Sequence, residues 1–593
     1  MKVLLVLGAA LGLLIPVAAL DREAFTTTHY DLSLRLEPAQ QRFSVRGKIT
    51  LRNDSSQPQR IAALQISSSL NWRSIRALSA GPPETTQAVQ FLTQPYTSDI
   101  DHTGELSEAI VTLPVEVAPK KSVDLAIGYE GVIVLDTTRL ARIGTPETVA
   151  RHSDWDQIGK EYSAIRGVGY VTWYPVAMEA QNLLDGNAMF VALGRWKARH
   201  AASKMELQVE LISNDGPKPS ILSNAKNCAA TEKTASASEA TLSGCKYDAL
   251  GFANPMLILG NLKDSSDSPV HVHYLADHAS VAQEFAQASD RAALLIKDWF
   301  GKDSLGQDSS GKDSPGPSTQ KPDVADLADV DAAPYEAGEW LMIPLAKSRP
   351  EVEHTLALHQ LTHAAFPSPR LWVYEGAAHF MQALALEKEG RAAALDYLES
   401  HRESVVKAQK DPDLPPESLI DATQEVFYRS KATLVWWMLR DMVGDPALKR
   451  ALHQYRPEED KEPLYFEHLL EAESKRDLAW FFHDWVYTDS GLPDFRIESA
   501  NSRVTSGTTF ITAVTVANEG GAGAEVTVTI RTNSGDFPQR LAVPAKGKAV
   551  TRIVSPAQPL EVVVNDGSVP ELGVTGHRLK IGAEGGALES PRR

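Results

Sequence analysis

The chain has 593 residues, 43% of them hydrophobic and 23% charged, the composition of an ordinary folded protein rather than a disordered one. That length is too great for one hydrophobic core, so three or four domains are expected. The formal net charge of -17 excludes nucleic acid as a partner, because phosphate binding needs a basic face.

In chain order, Met1-Lys2 supplies a positive start and residues 3–18 an apolar run, followed by the small residues Val17-Ala18-Ala19. This order is that of a secretory signal peptide over residues 1–19, with an uncleaved membrane anchor as the alternative. No later stretch reaches transmembrane length, so the mature chain is expected outside the cytoplasm, periplasmic or extracellular, without a membrane span. From Thr26 to about residue 265, runs such as "HYDLSLRLEP" and "KMELQVELISNDG" alternate apolar and polar residues, the period of half-buried strands. Residues 20–265 therefore read as a large antiparallel β domain. Its two cysteines, Cys228 and Cys245, flank a Thr/Ser/Ala-rich hairpin tip and are expected to face each other as a disulfide in an oxidising compartment.

Near Ser268 the pattern changes, and a strand runs into an amphipathic helix ending near Trp299-Phe300. Residues 302–326, rich in Ser, Gly, Pro and Asp with near-repeated KDS triplets, read as a flexible insertion. Residues 351–488 read almost wholly as helix until Gly491-Leu492-Pro493 stops them. Short alternating strands separated by Gly, Asn and Pro follow over 494–580, as in an immunoglobulin-like β-sandwich, with a loose tail at 581–593.

Chemistry concentrates in "LALHQLTHAAFPSPRLWVYEGAAHF". His359 and His363 stand four apart on an expected helix, so both imidazoles share one face and can converge on one metal ion. Glu375 begins a second helix beyond a turn containing Pro367 and Pro369 and can complete a two-His, one-Glu hydrolytic zinc set. Taken alone, a His pair at this spacing is weak, since chance among 16 His residues yields roughly half of one.

The run Trp372-x-x-Glu375-Gly376-x-Ala378-x-Phe380 resembles the "W-L-N-E-G-F-A" helix start of the M1 (gluzincin) zinc aminopeptidases, and it too follows an HxxxH pair. "FYRSKATLVWWMLRDMVGD" is similar to that family's tyrosine-bearing helix, and "RDLAWFFHDWVYTDSGLP" to the segment closing its catalytic domain. "THYDLSLRLEPAQQRFSVRGKITLRND" resembles its opening β domain and "VTWYPVAMEA" its "W-F-P-C-x-D-E-P" stretch. These five matches are collinear from Tyr30 to about Pro493. They imply a multi-domain α+β fold with an N-terminal β domain, a helical thermolysin-like domain over 266–493, and the sandwich as a small third domain.

The resemblance also implies roles for single residues, and the chain departs from several. The family's HExxH glutamate, the general base, is here Gln360, whose neutral amide orients water but accepts no proton. Eleven residues separate His363 from Glu375 where the family has eighteen, and counting to the family spacing reaches Gln382. The amine-binding G-x-M-E-N segment corresponds to "PYEAGEWLMIPL", in which Glu336 or Glu339 could pair with a substrate ammonium. The transition-state tyrosine stands two before the family's Lys; that position is Arg429, with Tyr428 beside it as the candidate oxyanion donor. His379, four after Glu375 on the same helix face, reads as a hydrogen-bonding support behind the ligands, an extra ligand or a packed histidine. Two functions follow. One is an exported zinc metallopeptidase acting on peptide or protein substrates with one Zn2+ ion. The other is a pseudopeptidase kept as an envelope binding or structural protein. The oligomeric state is not encoded in these motifs.

Overall fold

Alternation sets the first strand: in Phe25–Glu37, Tyr30, Leu32, Leu34 and Leu36 are buried while Asp31, Ser33 and Arg35 face solvent. The computed structural model describes residues 20–581 except 80–84, 99, 180–194, 213–218, 226, 232–239, 252, 266–267, 302–320, 339, 348–349, 413, 458 and 574–575. The signal segment, Glu339, most of the insertion and nearly all of the tail expected from the sequence lie outside the described residues.

Phe25–Glu37 lies inside an eight-stranded sheet, paired antiparallel with Arg42–Asn53 on one side. On the other side it pairs with Lys204–Ile212 in parallel, so the antiparallel expectation for this domain fails at one ladder. The exception is topological, because Lys204–Ile212 enters after a long excursion through other elements and not through a hairpin. A three-stranded sheet, including Gln59–Ser67 and Glu105–Val117, packs its apolar face on the same core, and Trp173 and Tyr174 are buried there. Between the strands stand α1 (Thr138–Arg142), α2 (Glu147–Ser153) and α3 (195–200). At the sheet edge, Asn227–Thr231 pairs with Ala240–Tyr247 with Cys228 opposite Cys245 in register, and Cys245 is disulfide-bonded.

The helical region is organised around a five-stranded sheet ordered Leu262–Ser265, His271–Leu275, Asp323–Asp326, Trp340–Ile343, Tyr335–Ala337. The 22-residue α4 (Ala279–Phe300) crosses between two parallel strands of it and ends at Gly301, whose φ of 65° is the left-handed cap that favours glycine. The extent of the expected loose insertion is corrected here. Asp323–Asp326 is a strand with Val324 and Ala325 fully buried, and Lys321 Nζ donates to Ser268 O at 2.8 Å. Asp326 ties the sheet to its flanks by accepting from Leu275 N and His278 Nδ1, and from Leu345 N.

Next come α5 (Pro350–Ala365), α6 (Leu371–Glu387) and α7 (Arg391–Lys410). A π-helical turn (Val426–Lys431) then runs into α8 (Ala432–Val443). The short α5–α6 connection is pinned by Arg370 Nε to Asp460 Oδ1 at 2.7 Å and by Phe366 stacked on Phe300. Gly376 lets α6 lie close on α8, since a Cβ there would meet Trp436 Cδ1 at 2.7 Å and Ala432 Cβ at 2.8 Å. Lys431, buried beneath, pairs with Asp489 at 3.0 Å. The C-terminal strands from Phe495 to Lys580 form a three-stranded and a four-stranded antiparallel sheet, with Val514, Val526, Val528 and Val562 buried. Among the described residues no helix is long and apolar enough to cross a membrane.

Candidate metal centre

α5 has two distinct faces near its C-terminal end. Leu358, Leu361 and Ala365 pack into the core at helical spacing, while His359 and His363, four apart, share another face: His363 lines a cleft and His359 meets Glu336 and Glu375 beside it. Both imidazoles are only 2% exposed, and their Nε2 atoms stand 3.0 Å apart. Two ligands on one tetrahedral zinc with bonds near 2.0–2.1 Å are separated by about 3.3 Å, so this spacing fits a shared ion. Glu375, from the first turns of α6, brings its two carboxylate oxygens to 3.8 Å from His359 Nε2 and 3.9 Å from His363 Nε2. Tyr374 stacks on the His363 ring with centroids 3.8 Å apart and fixes its plane. His359, His363 and Glu375 thus stand side by side, each histidine facing a different oxygen of the carboxylate.

Glu336 also reaches this group. It lies on the edge strand Tyr335–Ala337 and places Oε2 at 3.1 Å from His359 Nε2. Desolvation opposes the charge on Glu336, but the His359 imidazole beside it outweighs that and holds the carboxyl down to about 2. Desolvation likewise opposes charge on His359, yet Glu336 and Glu375 hold its pKa above the ordinary value. Burial pushes the Glu375 carboxyl up, partly offset by His359, and pushes His363 well below the ordinary histidine value. Glu336 is thus held as an anion and His363 as a neutral imidazole, while His359 and Glu375 are poised to share a proton that a divalent cation would displace.

Gln360 is fully buried between the two histidines in sequence; its amide hydrogen-bonds toward Glu336 and helps keep that carboxyl charged, while its amide oxygen has no hydrogen-bond partner in the protein. A buried amide oxygen left unpaired costs about 1–3 kcal/mol, which a hydrogen bond from a metal-bound water would offset. That orphaned oxygen, together with two imidazoles and two carboxylates, fits a bound zinc ion with oxygen ligands of its own. The cleft above has a cavity volume of about 580 Å³ and is lined by Glu336, Trp340, His363, Tyr374, Glu375 and Lys197.

His379 is 5% exposed, with its ring centroid 4.7 Å from that of His359. Tyr428 stands half-buried on the π-helical turn, its hydroxyl pKa raised by burial and by Glu425 and Glu375. Two cations were not singled out for the site from sequence. Lys197 on α3 and Arg429, ion-paired to Glu425, both act electrostatically on Glu375. Arg429 occupies the tyrosine position of the resembling motif, which was a usable signal. Lys197 had none, because it arrives from the N-terminal β domain.

No family model matches the sequence, and no curated protein does. Among solved structures, the chain is similar to an M1 zinc metallopeptidase from Deinococcus radiodurans, with a TM-score of 0.46 and 17% identity over 79% of this chain and 95% of that one. A variant of that metallopeptidase bound to a Tyr-Ser-Ala substrate gives a TM-score of 0.44 and 18% identity over 78% of this chain and 94% of that one.

Proposed function

We propose that the chain is an exported zinc metallopeptidase of the M1 aminopeptidase type, periplasmic or extracellular, whose hydrolytic rate is limited by Gln360. The observation that carries this reading is the pair of Nε2 atoms 3.0 Å apart on His359 and His363, with both oxygens of Glu375 within 3.9 Å. Zinc held by these three residues would supply Lewis-acid polarisation of a peptide carbonyl and a more acidic water. Glu336, at the cleft floor, is the anion that meets the free ammonium of a peptide substrate. Arg429 and the Tyr428 hydroxyl are the candidates to balance negative charge on the carbonyl oxygen as it is attacked. Gln360 can orient a water through its amide but cannot take a proton from it. In this reading the C-terminal pair of sheets is an immunoglobulin-like sandwich that closes the catalytic domain from below.

Gln360 favours a second reading, a pseudopeptidase retained as an envelope binding protein. Zinc content and hydrolysis of aminoacyl reporter substrates, measured on the mature protein beside His359→Ala, separate the two. One zinc per chain with slow turnover, both lost in the variant, supports the peptidase. Zinc without turnover at high enzyme concentration moves the chain to the second reading, and absence of zinc under replete conditions removes both forms of the metal centre.

A further inference from the structure

His379 ends a line of hydrogen bonds whose direction can be read from its far end. Gln382 Nε2 lies 3.1 Å from the backbone carbonyl of Thr355, one turn before His359 on α5. A carbonyl only accepts, so Gln382 must turn its amide nitrogen to Thr355 and its oxygen the other way. That oxygen accepts from the Tyr397 hydroxyl at 2.8 Å, which uses the phenol's single proton. Tyr397 can then only accept from His379 Nδ1, 2.7 Å away. The proton on His379 is therefore on Nδ1, and Nε2 carries the open lone pair.

A ring nitrogen of His379 lies within 4.8 Å of donor atoms on both His359 and Glu375. Glu375, four residues earlier on α6, shares its helix face. A ring-nitrogen lone pair within reach of a carboxylate and another imidazole is repulsive unless a proton or a metal cation stands between them. We infer that His379 Nε2 is a ligand of the same divalent metal ion, making the centre a three-imidazole, one-carboxylate site: His359, His363, His379 and Glu375. Closing the separation of His379 from His359 and from Glu375 to the about 3.3 Å of a tetrahedral shell needs a shift of at most about 1.5 Å. The Thr355–Gln382–Tyr397 line is the outer support that fixes this ring's tautomer and links α5, α6 and α7 around the ion. Four protein donors would leave a tetrahedral ion no open position, so substrate chemistry at this centre requires a fifth ligand or the departure of one residue.

The inference rests on the metal-centre reading, and its test keeps the two apart. The full-length mature protein, stripped of metal, is titrated with Co2+, and the zinc-loaded protein is examined by X-ray absorption to count imidazoles. Three imidazoles in the wild type and a Co2+ affinity at least tenfold weaker in His379→Gln are expected. Tyr397→Phe should weaken Co2+ by 10–100-fold while the imidazole count stays at three, the signature of a positioning residue. Wild-type protein that binds Co2+ and zinc through two imidazoles, or an unchanged affinity in a folded His379→Gln, overturns the inference alone. Wild-type protein that binds neither metal overturns it together with the metal centre.

Discussion

Replacing Gln360 by Glu tests whether a missing proton acceptor limits the rate. The substitution changes little in shape, and the side chain it replaces is fully buried beside Glu336. A carboxylate there would be pushed up in pKa by burial and by Glu336 and Glu375, toward the neutral range in which a general base works best. Such help contributes 10²–10⁴-fold, and at 1.36 kcal/mol per tenfold this is about 2.7–5.4 kcal/mol of barrier. The zinc-loaded variant should therefore hydrolyse aminoacyl reporters 10²–10⁴ times faster than the wild type, with the gain in kcat and little change in KM. In chelator, where the new charge is buried near two other carboxylates, its melting temperature should drop below that of the wild type. A zinc-loaded Gln360→Glu protein with unchanged kcat would refute the reasoning and place the limitation elsewhere in the site.

Three further outcomes are expected. Gly376→Ala drives a Cβ to within 2.7 Å of Trp436 Cδ1, forces α6 off α8, and should cost about 1–3 kcal/mol in denaturant unfolding along with weaker metal binding through Glu375. Lys431→Met leaves Asp489 buried without its ammonium at 3.0 Å and should cost about 3–5 kcal/mol; a loss under 1 kcal/mol would mean the pair is hydrated. Buried His102 has Nδ1 3.2 Å from Asp101 Oδ1; burial opposes its charge, but Asp101 outweighs burial and raises the pKa to about 9. The folded state then holds this proton more tightly than the unfolded chain does, whose value is about 6.5. The contribution is complete below pH about 6.5 and lost as pH rises through about 9, so the urea midpoint should fall across that window in the wild type and not in His102→Gln.

The N-terminal strands were legible because each has one buried face, which stamps a period of two on Tyr30, Leu32, Leu34 and Leu36. Glu375 was legible through its neighbours despite the shortened spacing. Trp372 and Gly376 fix where α6 meets α8, and that packing holds the carboxylate at the site whatever the length of the preceding connection. Glu336 was legible as a charged residue near the right motif, but its approach to His359 is made by a sheet edge meeting a helix, which no local pattern encodes. The strand Asp323–Asp326 was hidden for a related reason. Four residues with three buried in a row are too few to announce a period, and the partners that make them a strand lie at His271–Leu275 and Trp340–Ile343. His379 was visible as a histidine on the right face, whereas its tautomer depends on Thr355, Gln382 and Tyr397 meeting across three helices.

The anchoring on either side of residues 302–320 makes this the natural graft point of the molecule. Upstream, α4 is closed off by Gly301; downstream, the chain resumes at Lys321, bonded to Ser268, and at a strand held by Asp326. Doubling the length of such a connection costs only about 0.6 kcal/mol of closure entropy. A reporter domain spliced there, or a short Gly/Ser bridge put in its place, should leave zinc binding at His359 and His363 intact, giving a handle for pulling down whatever the cleft engages.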